Sequence, residues 1–320
     1  MEIVKKILSG DVSCASLLMK DIEDEVPSAI EALKKLYPHT GKAYIVGITG
    51  APGVGKSTMI DSLIKAFRQD DFNVGVIAID PSSPFTGGAI LGDRIRMKYF
   101  SHDQSVFIRS IATRGWTGGL SKHTLSMIHV MDAMGKDFIF VETVGSGQIE
   151  IDITRIADTS VVALCPGSGD EIQTMKGGIL EAADILIVNK ADREGADDLL
   201  LRLEIMVERR VYTGEQWKPR VFSTTAIKGS GIEEVKAEIV RHRDYLISTD
   251  GLIANRYKRA STELYEAVRS NLENYLFKEI TGNSKLDRLI AEIAERKADP
   301  YSVASKVTSN LIKDTRSRKK

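Results

Sequence analysis

Cysteine is almost missing from this chain. Only Cys14 and Cys165 occur in 320 residues, far apart in sequence. Two distant thiols exclude a disulfide framework and fit a reducing, cytoplasmic setting. Net charge is missing as well, because 44 Lys and Arg balance 44 Asp and Glu. A general nucleic-acid binder would carry a basic surplus, so no nucleic-acid partner is expected. No apolar run approaches the ~20 residues of a membrane span, so no membrane association is expected. The opening MEIVKKILSGDVS is amphipathic, too short and too polar for a secretory signal. Internal repeats and low-complexity linkers are absent too. What remains is 42% hydrophobic content, enough for one large core with or without appendages.

Residues 1–40 read as helical. Ile3, Val4, Ile7 and Leu8 share one face, Ile30, Leu33 and Leu36 another, and Pro38 with Gly41 closes the stretch. Short apolar runs then follow at 44–49, 74–79, 106–108, 138–141, 160–164 and 185–188, with a weaker one at 221–222. They are continuous rather than alternating, as strands buried on both faces should be. Helical segments separate them. The expected fold class is α/β, with a mostly parallel central sheet flanked by helices. Beyond about 232 the chain turns helical again, with Leu264, Val268, Leu272 and Leu276 spaced by four and Leu286, Leu289, Ile290 and Ile293 on a further amphipathic face. The closing TRSRKK reads as a solvated basic tail. The expected division is an N-terminal helical arm at 1–42, a central domain at 43–246 and a C-terminal helical arm at 247–320.

Directly after the first strand stands Gly50-Ala51-Pro52-Gly53-Val54-Gly55-Lys56-Ser57-Thr58. This satisfies the P-loop pattern in its required place, between a strand and a helix, and predicts a P-loop NTPase fold. Glycines let the backbone curl so that successive N–H groups point at phosphate oxygens, and the helix N-terminus adds positive potential. Lys56 is expected to neutralise the β- and γ-phosphates, and Ser57 to offer its hydroxyl to Mg2+.

A P-loop does not choose the base. Asn189-Lys190-Ala191-Asp192, after the run ILIV, does. An Asp placed there can accept from N1–H and the 2-amino group of guanine, whereas adenine would leave the carboxylate unpaired. Lys190 would lay its stem on the purine face. Downstream, Thr225-Ala226-Ile227 suits a loop whose backbone N–H donates to guanine O6. The expected ligands are GTP and GDP.

Phe138–Val141 ends in Glu142, with Gly145 three residues on. An acid at a strand end opposite the P-loop holds magnesium, directly or through water, and the glycine N–H can reach the γ-phosphate. Most P-loop GTPases carry Asp there. Asp80, after the second strand, and Asp93 could complete the metal shell, Asp80 serving equally as a helix or turn cap. Gln148 stands either as a water-positioner or as a solvated loop residue.

Together these segments resemble the GTPases associated with methylmalonyl-CoA mutase, the MeaB/ArgK family. The likeness runs from LYPHTGKA at 36–43 through GITGAPGVGKSTMID, DPSSPFTGGAILGDRIRM, FIRS, TRGWTGGLS, VETVGSGQIE, PGSGDEIQ and NKAD to DPYSVASKV at 299–307. The resemblance implies a G domain between helical arms and a homodimer formed through the C-terminal arm. It implies a chaperone whose nucleotide state gates adenosylcobalamin delivery to a B12-dependent acyl-CoA mutase and protects that mutase. It places magnesium and phosphate contacts on Ser57, Asp80, Asp93 and Glu142, and base contacts on Asn189, Lys190, Asp192 and Thr225–Ile227. Trp116, Thr117 and Gly177 depart from the family pattern, as does the segment SLLMKDIEDEV; these bear on partner coupling and leave the nucleotide chemistry untouched.

The expected reaction is GTP hydrolysis. Water attacks the γ-phosphate in line while Lys56, the P-loop N–H groups, Glu142 and Mg2+ stabilise the charge. Arg94, Arg96 and Arg114 are candidates that read better as surface or salt-bridge residues, so no arginine finger is assigned and slow basal turnover is expected, raised by the partner. Two alternatives use the same loop. An ATP-dependent kinase of the historical ArgK type would bind ADP tightly. A metal-insertion accessory GTPase would need ligands, and His39, His102, His123, His129 and His242 show no ligand spacing.

Overall fold

Apolar runs without alternation need cover on both faces, and four of the seven strands have it along their whole length. The computed structural model describes residues 2–80, 100, 102–112, 122–143, 148–167, 177–214, 216–281 and 284–317. Within them, β1 (Tyr44–Thr49), β2 (Val74–Asp80), β3 (Val106–Ala112), β4 (Phe138–Glu142), β5 (Thr159–Leu164), β6 (Ile185–Asn189) and β7 (Arg220–Thr224) form one parallel sheet, ordered β3-β2-β4-β1-β5-β6-β7. The described helices are α1 (Glu2–Leu8), α2 (Val12–Glu23), α3 (Pro27–Leu36), α4 (Lys56–Gln69), α5 (Lys122–Ala133), α6 (Gln148–Ile156), α7 (Gly177–Glu181), α8 (Ala196–Glu208), α9 (Ile232–Ser248), α10 (Gly251–Thr281), α11 (Ser284–Ala294) and α12 (Pro300–Ser317). None of them is long and apolar enough to cross a membrane.

The period of two sorts the core. Tyr44, Val46 and Ile48 of β1 face α4 and α9, whereas Ile45 faces α1–α3, α5 and α6. Val162, Leu164, Leu186 and Val188 meet α7 and α8. This is the α/β architecture expected from the continuous apolar runs. Because all strands are parallel, the loops that follow β1, β4 and β6 collect on one edge of the sheet.

Residues 2–36 form three helices, where the apolar periodicity marks two. Asp11 starts the additional one by accepting from the Cys14 N–H at 2.8 Å. Ala15, Leu18, Met19 and Ile22 of that helix then turn inward and join the core beneath the sheet. Asp132, at the end of α5, accepts from the N–H groups of Gly41 (2.5 Å), Lys42 (3.2 Å) and Ala43 (3.0 Å) and fastens the chain where it enters β1. Strand β3 extends past the apolar run 106–108 because Arg109 pairs with Glu23 of α2, so a charged residue is accommodated under a helix.

The chain divides into two compact units, Met1–Ser261 and Thr262–Lys320. In the second, Asp299 caps α12 by accepting from the Ser302 N–H at 2.8 Å. Leu264, Val268 and Leu272 there are all exposed.

At the N-terminal edge of the sheet, within the first unit, lies a polar chain in which Tyr44, Thr159 and His242 are buried and Asp184 is half-buried. The Tyr44 hydroxyl hydrogen-bonds the Thr159 hydroxyl at 2.6 Å, and Thr159 hydrogen-bonds His242 Nδ1 at 2.9 Å. His242 Nε2 is 3.6 Å from Asp184 Oδ1, and the Ser160 N–H donates to Asp184 Oδ2 at 2.7 Å. Burial, helped by Arg241, pushes His242 down to about 4. Burial also pushes Asp184 up to about 7, against the Ser160 donation and with Asp158 adding to the rise. The two act on stability with opposite sign. His242 contributes stability that is complete above pH 6.5 and is lost as pH falls toward 4. Asp184 contributes stability that is complete below pH 3.8 and is lost as pH rises through about 7. Urea unfolding of His242→Gln near pH 4 and pH 7 should therefore show the variant gaining stability on acidification relative to the parent, and Asp184→Asn should lose it. Parallel pH profiles for the parent and both variants would contradict this.

Candidate functional site

The phosphate loop, residues 50–55, joins β1 to α4. Its glycines are demanded twice over. Gly53 (φ 78°) and Gly55 (φ 97°) occupy the left-handed region. A Cβ at Gly55 would also lie 2.5 Å from Asn189 Nδ2. Gly55 then caps α4, whose Met59, Ile60, Leu63, Ile64 and Phe67 are fully buried and fix its N-terminus at the loop. Lys56 is buried, and its Nζ donates to the Gly50 carbonyl at 2.5 Å and the Ala51 carbonyl at 3.0 Å. The ammonium is thus folded back inside the curl of the loop. Pro52, Gly53, Ser57 and Thr58 lie at the exposed mouth.

Glu142 ends β4, opposite Ile48 of β1 and Ala78 of β2. The Ser57 hydroxyl donates to Glu142 Oε1 at 2.5 Å, bringing together residues 85 positions apart. Next to them the Thr143 hydroxyl donates to Thr49 Oγ1 at 2.8 Å. A hydroxyl and a carboxylate converging at a phosphate loop are hard oxygen donors, the set that suits Mg2+, which keeps several ligand places for phosphate and water. Asp80 is the last residue of β2, on the same edge of the sheet. Gln148 is the first residue of α6. Asp93 and Gly145 lie outside the described residues, as do Trp116, Thr117, Arg94, Arg96 and Arg114.

The second loop follows β6. Asn189 is 2% exposed and works as a bridge. Its Nδ2 donates to the Val54 carbonyl at 2.7 Å, while its Oδ1 accepts from the Thr224 hydroxyl at 3.0 Å and the Ala226 N–H at 3.1 Å. Lys190 takes a left-handed φ of 58° and donates from Nζ to the Gly53 carbonyl at 2.6 Å. Asp192 is partly exposed and lies 3.4 Å from Lys228 Nζ. Thr225 and Ala226 are buried and Ile227 is exposed. The fold therefore brings 50–58, 142, 189–192 and 225–227 to one edge of the sheet. Sequence reasoning missed Thr49 and Thr143, and it missed Lys228; a lone hydroxyl or lysine at a loop carries no spacing signal.

The chain matches the family described as methylmalonyl Co-A mutase-associated GTPase MeaB over residues 16–281. A Pyrococcus abyssi protein named provisionally as a GTPase is 45% identical over 313 residues, 97% of this chain and 96% of its own. The GTPase ArgK of Escherichia coli is 30% identical over 296 residues, covering 90% of this chain and 88% of its own. A crystal structure of an LAO/AO transport system kinase has the same fold, with a TM-score of 0.72 at 22% identity over 97% of this chain and 96% of its own.

Removing the bridge should be costly. Asn189→Ala leaves the Val54 carbonyl and the Ala226 N–H without their partner, and urea unfolding should show a loss of about 1–3 kcal/mol. A variant as stable as the parent would mean that the two loops hold their places independently.

Proposed function

This chain belongs to the MeaB family of methylmalonyl-CoA mutase-associated GTPases, and from that membership we propose that it binds GTP with Mg2+, hydrolyses it slowly to GDP, and acts as a nucleotide-dependent chaperone of an adenosylcobalamin-dependent acyl-CoA mutase. One observation carries the nucleotide part. The Asn189 carboxamide ties Val54 of the phosphate loop to Ala226 of the second loop, so both loops stand at a set separation on one edge of the sheet. That separation suits one ligand with phosphates at one end and a purine at the other.

In this reading the N–H groups of 50–58 and the N-terminus of α4 receive the phosphates. Lys56 exchanges its two loop carbonyls for β- and γ-phosphate oxygens. Ser57 and Glu142 would hold magnesium, with Asp80 and Asp93 as the further expected acids. When bound, magnesium draws charge from the phosphate oxygens. Gly145 is expected to follow the γ-phosphate, and Gln148 to orient water. Attack in line on the γ-phosphorus breaks its bond to the β–γ bridging oxygen and leaves GDP. At the other end the Lys190 stem covers the purine, Asp192 accepts from N1–H and the 2-amino group, and Thr225–Ile227 border O6. The exposed row Leu264, Val268 and Leu272 favours self-association through the C-terminal arm.

Calorimetric titration should give GDP binding at least about a hundredfold tighter than ADP, because adenine leaves the Asp192 carboxylate unpaired. Asp192→Asn should weaken GDP and improve xanthosine diphosphate, whose 2-oxo group accepts where guanine donates. Tight ADP binding would overturn this and favour the kinase reading.

The partner is tested separately. Purified chain and an adenosylcobalamin-dependent acyl-CoA mutase should co-elute on size exclusion, to different extents with GDP and with a non-hydrolysable GTP analogue. Absence of co-elution in either state would remove the mutase from the proposal while leaving the nucleotide chemistry in place.

A further inference from the structure

We propose that Ser62 is a positioning residue for guanine recognition, holding the base-side loop against the phosphate-binding helix. The inference rests on the nucleotide reading above and extends it to a residue that the loop motifs do not reach, since the P-loop pattern ends at Ser57.

Ser62 lies on α4, half-buried, on a different face from the fully buried row Met59, Ile60, Leu63 and Phe67. Its hydroxyl donates to the Ala226 carbonyl at 2.9 Å, across 164 residues of sequence. The helix is the rigid side of this contact, because its inner face is packed on β1, β4 and α9. The loop is the less enclosed side at its tip, although Thr225 and Ala226 are buried. Ile227 is 83% exposed, and Lys228 reaches only the partly exposed Asp192. Ala226 itself is tied outward twice, by its N–H to Asn189 Oδ1 and by its carbonyl to Ser62. The outcome is a closed circuit. α4 begins at the phosphate loop, Val54 of that loop accepts from Asn189, Asn189 accepts from Ala226, and Ala226 accepts from α4. Both backbone groups of Ala226 are then fixed in space, which aims the loop at the place where O6 of a bound guanine would lie.

Losing Ser62 strands no buried acceptor, because the Ala226 carbonyl still accepts from the Gly229 N–H at 3.1 Å. The effect should therefore fall on the loop's position and leave the fold intact. It should also be confined to the base end. The phosphate loop is held by its own carbonyl contacts to Lys56 and by Asn189, neither of which involves Ser62.

Stopped-flow release of a fluorescent GDP analogue, with competition by magnesium pyrophosphate measured in parallel, tests this on the full chain. Ser62→Ala should release GDP about three- to tenfold faster, the span of one modest hydrogen bond, while pyrophosphate affinity stays unchanged. Unchanged GDP release overturns the inference, and so does a pyrophosphate affinity that falls by the same factor, since that would place the effect on the helix. A parent chain that binds no GDP would overturn the nucleotide reading itself and this inference with it.

Discussion

Asn189 donates to the Val54 carbonyl and accepts from Thr224 and Ala226, at the end of the strand that follows β5 in the sheet. The rest of the site depends on that carboxamide. It sets how far the loop after β1 stands from the loop after β7. It also explains the glycine at 55, since a side chain there would meet Asn189 Nδ2 at 2.5 Å. A buried amide with its partners satisfied is rigid, and with one missing is costly. The loops after β1, β6 and β7 are therefore parts of one polar assembly.

The parallel sheet supplies the setting. With every strand running the same way, the C-terminal ends carry the loops of the site, and the N-terminal ends are left to fasten the fold. The fastening is polar. Tyr44, Thr159, His242 and Asp184 bridge β1, β5, α9 and the entry to β6. Asp158 accepts from the Ile45 N–H and pairs with Arg259 of α10. Burial acts on these groups in opposite directions, pushing His242 down and Asp184 up. These two titrations thus lie at the end of the sheet away from the phosphate loop.

Much of this was legible in the chain itself, unevenly. The phosphate loop could be read because its chemistry is contiguous: glycines, Lys56 and Ser57 must follow one another between a strand and a helix. Continuous apolar runs announced strands covered on both faces, and β1, β4, β5 and β6 are buried throughout. Strand β3 was read short because Arg109 and Ser110 break the apolar run, and only the pairing of Arg109 with Glu23 shows why the strand continues. Residues 1–40 read as helical, but the apolar periodicity does not mark α2 as a separate helix, for a related reason. Its start lies in the Asp11 cap, and its apolar face is plain only once α5 and the sheet lie beneath it.

Local character, then, was determined by sequence alone: a curled glycine-rich loop between a strand and a helix, strands needing cover on both faces, and an Asn-Lys-Ala-Asp segment at a strand end. These depend on neighbours along the chain, whose dihedral preferences and donors act at short range. Tertiary structure decided the rest. That Asn189 holds Val54 across 135 residues, that Ser57 meets Glu142 across 85, and that Ser62 reaches Ala226 across 164 follows from strand order and helix packing. No residue type or spacing encodes such pairs, because each contact exists only after the crossovers have placed β4 and β5 on either side of β1.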